Sequence, residues 1–399
     1  MASLSMRSRE GLLSPILVLV VTTLIDMTGF GMIIPLLPFY AARLKAGPTS
    51  LGVLLASFSI MQFIFSPLLG RWSDRVGRRP VLILSILTSI ASFALFTVAE
   101  SLIVLLLSRI VAGLATEGAV AQAYIADITS NEERAAGMGK VGAATGVGFI
   151  LGPALGGFLS PYGFWAPGVA AMALGLLNLV FVILFLPEPQ VHKRSRPQLE
   201  EGFARRLLDA LTRPLTGQVF IIYFVITLAF AAVPVIVPLL AIDFYGFTSV
   251  EMSYVFIYIG VLQILLQGFA IGRLTRRIGE DRLIVLGPLL MLIGIFVMPL
   301  MPNLAVFAAS LAMISFGVGL TNTAVPSFVS QRTPPEEQGA ILGVTQSVSS
   351  IARIPGPLIG GVAFELAGLA APFFLSSLML MIPFLLGCRV FHACYFKGL

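Results

Sequence analysis

Three ionisable side chains stand inside runs otherwise apolar enough to cross a membrane. Asp26 lies in ILVLVVTTLIDMTGFGMIIPLLP, and Arg109 and Glu117 lie in LIVLLLSRIVAGLATEGAVAQAYIADI. A titratable group in hydrocarbon is costly, so its presence points to a use. A carboxylic acid in a dry cavity keeps its proton, and a nearby guanidinium favours the carboxylate. Two conformations that change this distance or wetting would load and release a proton, and Arg suits the partner role because it stays charged. Asp26 sits roughly 18 Å into a ~30 Å core from one face, and Arg109 roughly 12 Å from the other, so they share a depth. The alternative is a static ion pair joining the two runs. Arg109, Gly113, Glu117 and Tyr124 follow steps of 4, 4 and 7, which predicts one helical face. Glu117 would be a second proton carrier or attract a cation; alternatively it is hydrogen-bonded inside its own half or reaches water. Arg353, just before Pro355, would bind an anionic or carbonyl group, balance Asp26, or pair with a carbonyl that Pro355 frees.

The elements that position these groups follow from composition. The chain has 399 residues, 57% hydrophobic and 11% charged, with a mean hydropathy of +0.98. A soluble domain carries about a quarter charged residues, so an integral membrane protein in a lipid bilayer is expected. The pI of 9.6 would fit a nucleic-acid binder. The basic residues, however, sit in short loops between apolar runs, not on one patch, so no nucleic-acid partner is expected. Cys388 and Cys394 form no disulfide or zinc framework. His192 and His392 fall in the linker and near the C-terminus, with no Ser/His/Asp group, metal cluster or phosphate loop within the runs. Neither an enzyme nor a metal nor a cofactor is expected. The terminal FKGL is not a prenylation signal. The first apolar run is too long for a signal-peptide core and is read as a retained span.

Twelve spans are predicted, at 14–38, 50–70, 81–99, 101–125, 137–160, 164–186, 217–242, 250–271, 282–301, 303–328, 338–362 and 368–390. With both termini cytoplasmic, all of the 25 Lys and Arg fall in cytoplasmic segments except Arg43, Lys45, Arg109 and Arg353. The polar segment after span 6 divides the chain into a six-span half at 1–186, a cytoplasmic linker at 187–216 and a second half at 217–399. Phe203 to Leu211 could form an amphipathic surface helix.

The halves repeat. GRWSDRVGRR at 70–79 returns in outline as GRLTRRIGED at 272–281, and GPALGG at 152–157 as GPLIGG at 356–361. Two related six-span halves suggest a transporter with its substrate site between them at mid-membrane depth. In the second copy Asp74 becomes Arg276, Arg78 becomes Glu280 and Asp127 becomes Gln331. A loop interaction of the first copy would thus lose its third partner in the second. Asp74→Asn is then expected to impair function more than Arg276→Gln.

Gly70, Asp74, Arg75, Gly77, Arg78 and Arg79 resemble the loop 2–3 signature of the major facilitator superfamily. GMIIPLLP (31–38) and GVGFILGPALGG (146–157) resemble the span 1 and span 5 signatures of its twelve-span drug:proton antiporters. SRIVAGLATEGAVAQAYIADIT (108–129) is similar to span 4 of the tetracycline-efflux group. These motifs cover most of the N-terminal half; the C-terminal half matches in outline only. The resemblance implies an all-α membrane protein of two pseudo-symmetric six-helix bundles. It implies a monomer in a prokaryotic plasma (inner) membrane that exports tetracycline-like or multiple amphipathic drugs for protons by alternating access. Spans 1 and 4 would line the cavity, with Asp26, Arg109 and Glu117 coupling protons; an acid at Glu117 departs from the tetracycline-efflux pattern. Gly70, Asp74, Arg75, Gly77, Arg78 and Asp127 would form a cytoplasmic gate. Asp74 would meet the start of span 11, already occupied by Glu336 and Glu337, and Arg78 would reach Asp127. The alternative is a topology signal and surface loop only.

Gly148, Gly152, Pro153, Gly156 and Gly157 permit close helix approach in span 5. The resemblance makes this face a pliable contact between halves. Candidate cavity residues are Phe30, Gln62, Tyr124, Tyr223, Phe230, Tyr258, Gln263, Asn322, Gln346 and Arg353. Aromatics with a few hydrogen-bonding groups suit amphipathic small molecules. Export of a sugar, amino acid or other metabolite is the alternative. A non-transporting sensor or scaffold would have less use for Asp26 and Arg109.

Overall fold

The structure is a computed structural model that describes residues 13–115, 117–129, 131–189, 214–333 and 338–397. Among these the secondary structure is helical throughout, without a strand. The helices are α1 (Pro15–Ile33), α2 (Leu37–Arg43), α3 (Pro48–Val76), α4 (Arg78–Thr97), α5 (Leu102–Leu114), α6 (Glu117–Ile128), α7 (Asn131–Leu159) and α8 (Trp165–Phe185). After the linker come α9 (Pro214–Tyr245), α10 (Ser249–Leu265), a π turn (Leu266–Ala270), α11 (Ile271–Ile278), α12 (Glu280–Val297) and α13 (Leu304–Gln331). The chain closes with α14 (Gln338–Ala352), α15 (Pro355–Ala367) and α16 (Ala371–Lys397). The expected surface helix at Phe203–Leu211 lies outside the described residues.

Among the described residues, ten helical runs are long and apolar enough to cross a membrane. The expected spans at 282–301 and 338–362 are not among them, for separate reasons. The helix over the first begins with Glu280, Asp281 and Arg282, so charge fills its opening turn. The second is divided before Pro355 into α14 and α15, of 15 and 13 residues. Helix starts carry local signals. Ser14 caps α1 ahead of Pro15, Ser101 caps α5, Asn303 caps α13, and Thr248 with Glu251 forms a capping box on α10.

The chain forms two compact units: residues 1–36 with 60–195, and residues 37–59 with 196–399. In the first, α1 packs on α7 and α8, and α4 on α5, α6 and α8. A Cβ at Gly148 would lie 2.6 Å from the Met27 side chain; at Gly152, 2.6 Å from the Thr28 carbonyl; at Gly156, 2.6 Å from the Met32 carbonyl. The sequence reading places this face between halves. Its close neighbours here are all on α1, inside one unit. Gly152→Leu is therefore expected to force α1 from α7 at a cost of about 3 kcal/mol or more, read as loss of monodisperse protein. Gly142→Ala, with nothing within 4 Å of the added carbon, is expected to leave that yield unchanged.

In the second unit GPLIGG repeats the device. A Cβ at Gly356 would lie 2.5 Å from the Leu228 carbonyl, and one at Gly360 would lie 3.2 Å from Ala232, so α15 docks on α9 as α7 docks on α1. Residues 37–59 belong to this unit. The start of α3 seats Gly52 against the Pro357 carbonyl, and the Glu365 carboxylate accepts from the Thr49 N–H at 3.3 Å.

Candidate functional site

The acid and arginine of span 4 stand on two helices, not one. α5 ends at Leu114, and Ala115 is extended, with ψ of 125°. Glu117 then opens α6. No proline causes the break. It places the Glu117 carboxylate in the first turn of a new helix, where the macrodipole favours an anion. Broken spans at mid-membrane are where transporters expose backbone groups to ions and substrates.

Glu117 is 4% exposed, and its carboxylate accepts from Ser89 Oγ of α4 at 2.7 Å and from its own main-chain N–H. Asp26, mid-way along α1, is partly exposed. The expected Asp26–Arg109 ion pair is not present among the described residues. Arg109 is 1% exposed, with its guanidinium 5.9 Å from the Phe96 ring centroid and Nε 3.4 Å from Ser108 Oγ. Its Nη2 has no hydrogen-bond partner among the described residues. The first unit thus buries Arg109 without an ion-pair partner among the described residues, and carries Glu117 and Asp26 on α6 and α1.

Tyr124 is fully buried, and its hydroxyl donates to the Pro187 carbonyl at 2.5 Å. It belongs to a hydrophobic core with Leu82, Ile125 and Val182 and seats the chain leaving α8. Phe30 meets Phe149 edge-on at 6.1 Å, and Gln62 is half-buried on α3. In the second unit Tyr223 is buried and Phe230 half-buried on α9. Tyr258 donates to the Ala308 carbonyl, and Gln263 Nε2 to the Ser315 carbonyl at 2.8 Å. Asn322, Gln346 and Arg353 are exposed, Arg353 at the break between α14 and α15.

At the loop end of the first unit Arg78 organises a network. Nη2 meets Asp74 at 2.6 Å, Nε meets Asp127 at 2.7 Å, and Nη1 donates to Ser73 Oγ at 2.6 Å. Gly77, at φ 112°, turns the chain into α4, whose first N–H groups donate to Glu188 at 2.6 and 2.9 Å. Ser73 Oγ also donates to the Gly70 carbonyl, while Arg75 is exposed. The expected partners of Asp74 at 334–337, with Glu336 and Glu337, lie outside the described residues.

The second copy keeps the geometry and reverses its polarity. Gly279 again has positive φ, at 86°. Glu280 Oε1 accepts from Gln331 Nε2 at 2.6 Å and from Ser327 Oγ at 2.7 Å. The expectation that the third partner is lost is thus corrected: donor and acceptor exchange places, because Gln331 supplies the N–H that the exchange requires.

The Major Facilitator Superfamily profile matches residues 19–357 and, separately, 219–394. The chain belongs to the Major Facilitator Superfamily. It is therefore a membrane transporter and not an enzyme. This facilitator is 32% identical to tetracycline resistance protein, class E, of Escherichia coli over 351 residues, 86% of each chain. It is 28% identical over 372 residues, 92% of each chain, to multidrug resistance protein 2 of Bacillus subtilis (strain 168). The crystal structure of the human organic anion transporter MFSD10 (TETRAN) superimposes with a TM-score of 0.70 at 25% identity, covering 93% of this chain and 98% of that one.

Ser89, Phe96 and Glu188 were not singled out from sequence. Glu188 carried a usable signal: an acid two residues past the last buried leucine of span 6, within reach of an arginine-rich loop. A serine or phenylalanine inside an apolar run carries none.

Proposed function

We propose that this facilitator exports small amphipathic organic compounds, tetracycline-like or multiple drugs, in exchange for protons by alternating access. The observation that carries this reading is buried Glu117 opening a helix at a break in a membrane span, in the same unit as Asp26 on α1 and buried Arg109 with an unpartnered Nη2. A carboxylic acid in a dry cavity keeps its proton, and a change of wetting releases it. The relatives named for tetracycline and multidrug resistance support the substrate class. The N-terminal half would couple protons, and the C-terminal half would set the substrate range. The Arg78 network would close one side of the cavity. The protein would work as a monomer in a prokaryotic inner membrane with both termini cytoplasmic, driven by the proton gradient without a cofactor.

The test is substrate accumulation in everted vesicles of a drug-sensitive host. Tetracycline and a panel of amphipathic cations should enter on energisation and leave when an uncoupler collapses the gradient. Accumulation that persists without a proton gradient, or responds only to a sugar or amino acid, would sink the reading.

A further inference from the structure

The second unit carries a basic groove that the transport reading does not use. α10, the π turn and α11 form one run, Ser249–Ile278, apolar enough to cross a membrane. Where it emerges, Gln267, Gly268, Phe269, Gly272, Arg273 and Arg276 line a groove of about 370 Å³. Arg273, Arg276 and the adjacent Arg277 are exposed, and no carboxylate among the described residues pairs with them. Arg273 Nη1 donates to the Phe269 carbonyl at 2.8 Å, and Arg276 Nε to the Gly272 carbonyl at 3.1 Å. Each guanidinium is thereby folded along its own helix with donors to spare. Gly268 and Gly272 leave the floor bare: a Cβ at either would meet nothing within 4 Å. One and two turns deeper than Arg273, Phe269 and Leu265 are 65% and 50% exposed. A cationic rim above an apolar wall, about 6 Å apart along the helix, fits an amphiphile with an anionic head.

The first copy repeats exposed Arg71 and Arg75 and a bare Gly70, and differs at the position of Arg276. Asp74 stands where Arg276 does, and Arg78 is engaged by two carboxylates. In the second copy Glu280 is held by Gln331 and Ser327, so it leaves the arginines unneutralised. Guanidinium forks bind phosphate oxygens, and basic pockets on the cytoplasmic side of membrane proteins recruit anionic headgroups.

We propose that the Arg273–Arg276 groove binds the phosphate headgroup of an anionic phospholipid, with its acyl chain along Leu265 and Phe269. This site is independent of the exported compound. It is tested on the purified full chain in detergent, by native mass spectrometry with phosphatidylglycerol, phosphatidylcholine of equal chain length, and inorganic phosphate. Phosphatidylglycerol is expected to bind in preference to both others. Arg273→Gln with Arg276→Gln should weaken it about thirtyfold. Gly272→Leu should weaken it by filling the groove at unchanged charge, and Arg71→Gln, in the first copy, should leave it unchanged. If the double variant fails to fold, Gly272→Leu decides alone, since open space surrounds that glycine. Phosphatidylglycerol binding that survives Gly272→Leu, equal binding of phosphatidylcholine, or displacement by inorganic phosphate at equal concentration would each overturn the proposal.

Discussion

Asp26→Asn is expected to abolish proton-driven efflux while substrate–substrate exchange continues. Asparagine fills the same volume and cannot ionise. Glu117→Gln should act in the same direction, because the amide keeps the shape of the side chain but cannot carry a proton. Glutamine still accepts from Ser89 Oγ, so the helix start at Glu117 survives. Exchange is the discriminating measurement because it needs the conformational cycle but no net proton movement. If exchange falls in parallel with efflux in both variants, the acids hold the fold together and do not couple protons.

Arg109 sharpens the same argument. A buried guanidinium with an unpartnered Nη2 is unstable bookkeeping unless another state, or a bound molecule, supplies the acceptor. Asp26 and Glu117 are the acids in the same unit that could supply it in that other state. An Arg109 contact made in one conformation and broken in another would raise and lower proton affinity in step with access.

The parts legible in sequence are those written in local chemistry. GPALGG and GPLIGG announced two close helix dockings because only glycine admits a carbonyl at 2.6 Å. The repeat aligned Gly77 with Gly279, which both take positive φ, whereas the Arg78–Asp127 contact was implied by the family resemblance. The break after Leu114 was hidden because GLATEG contains no proline, and a depth argument along one continuous helix paired Asp26 with Arg109. Starting a new helix at Glu117 lets its carboxylate accept from Ser89. Tyr124 read as a cavity residue because its spacing matched; its hydroxyl is held by Pro187, 63 residues later, a contact no helical period encodes. The reversal at Glu280 was hidden for a related reason. Substitution patterns show which residue changed, but not that Gln331 can donate where Asp127 accepts.

Arg78→Leu is expected to destabilise the protein far more than Glu280→Gln, although both occupy the same place in the repeat. Arg78 is 4% exposed and serves three acceptors with three different nitrogens. Removing it takes the guanidinium from Asp127, whose side chain is only 8% exposed. Deleting one partner of a buried pair costs about 3–5 kcal/mol, chiefly for the charge left behind. Glu280→Gln removes a charge and keeps an acceptor: the amide oxygen can still receive Gln331 Nε2 and Ser327 Oγ, so the cost should stay near 1 kcal/mol. Thermal unfolding of the purified full chain would show the difference as a large drop in midpoint for Arg78→Leu and a small one for Glu280→Gln. Arg78→Lys should recover part of the loss, because one ammonium cannot span Asp74, Asp127 and Ser73 together. Equal midpoints for Arg78→Leu and Glu280→Gln would mean that the two copies bear equal load, and that reversing donor and acceptor left the energetics of the loop unchanged.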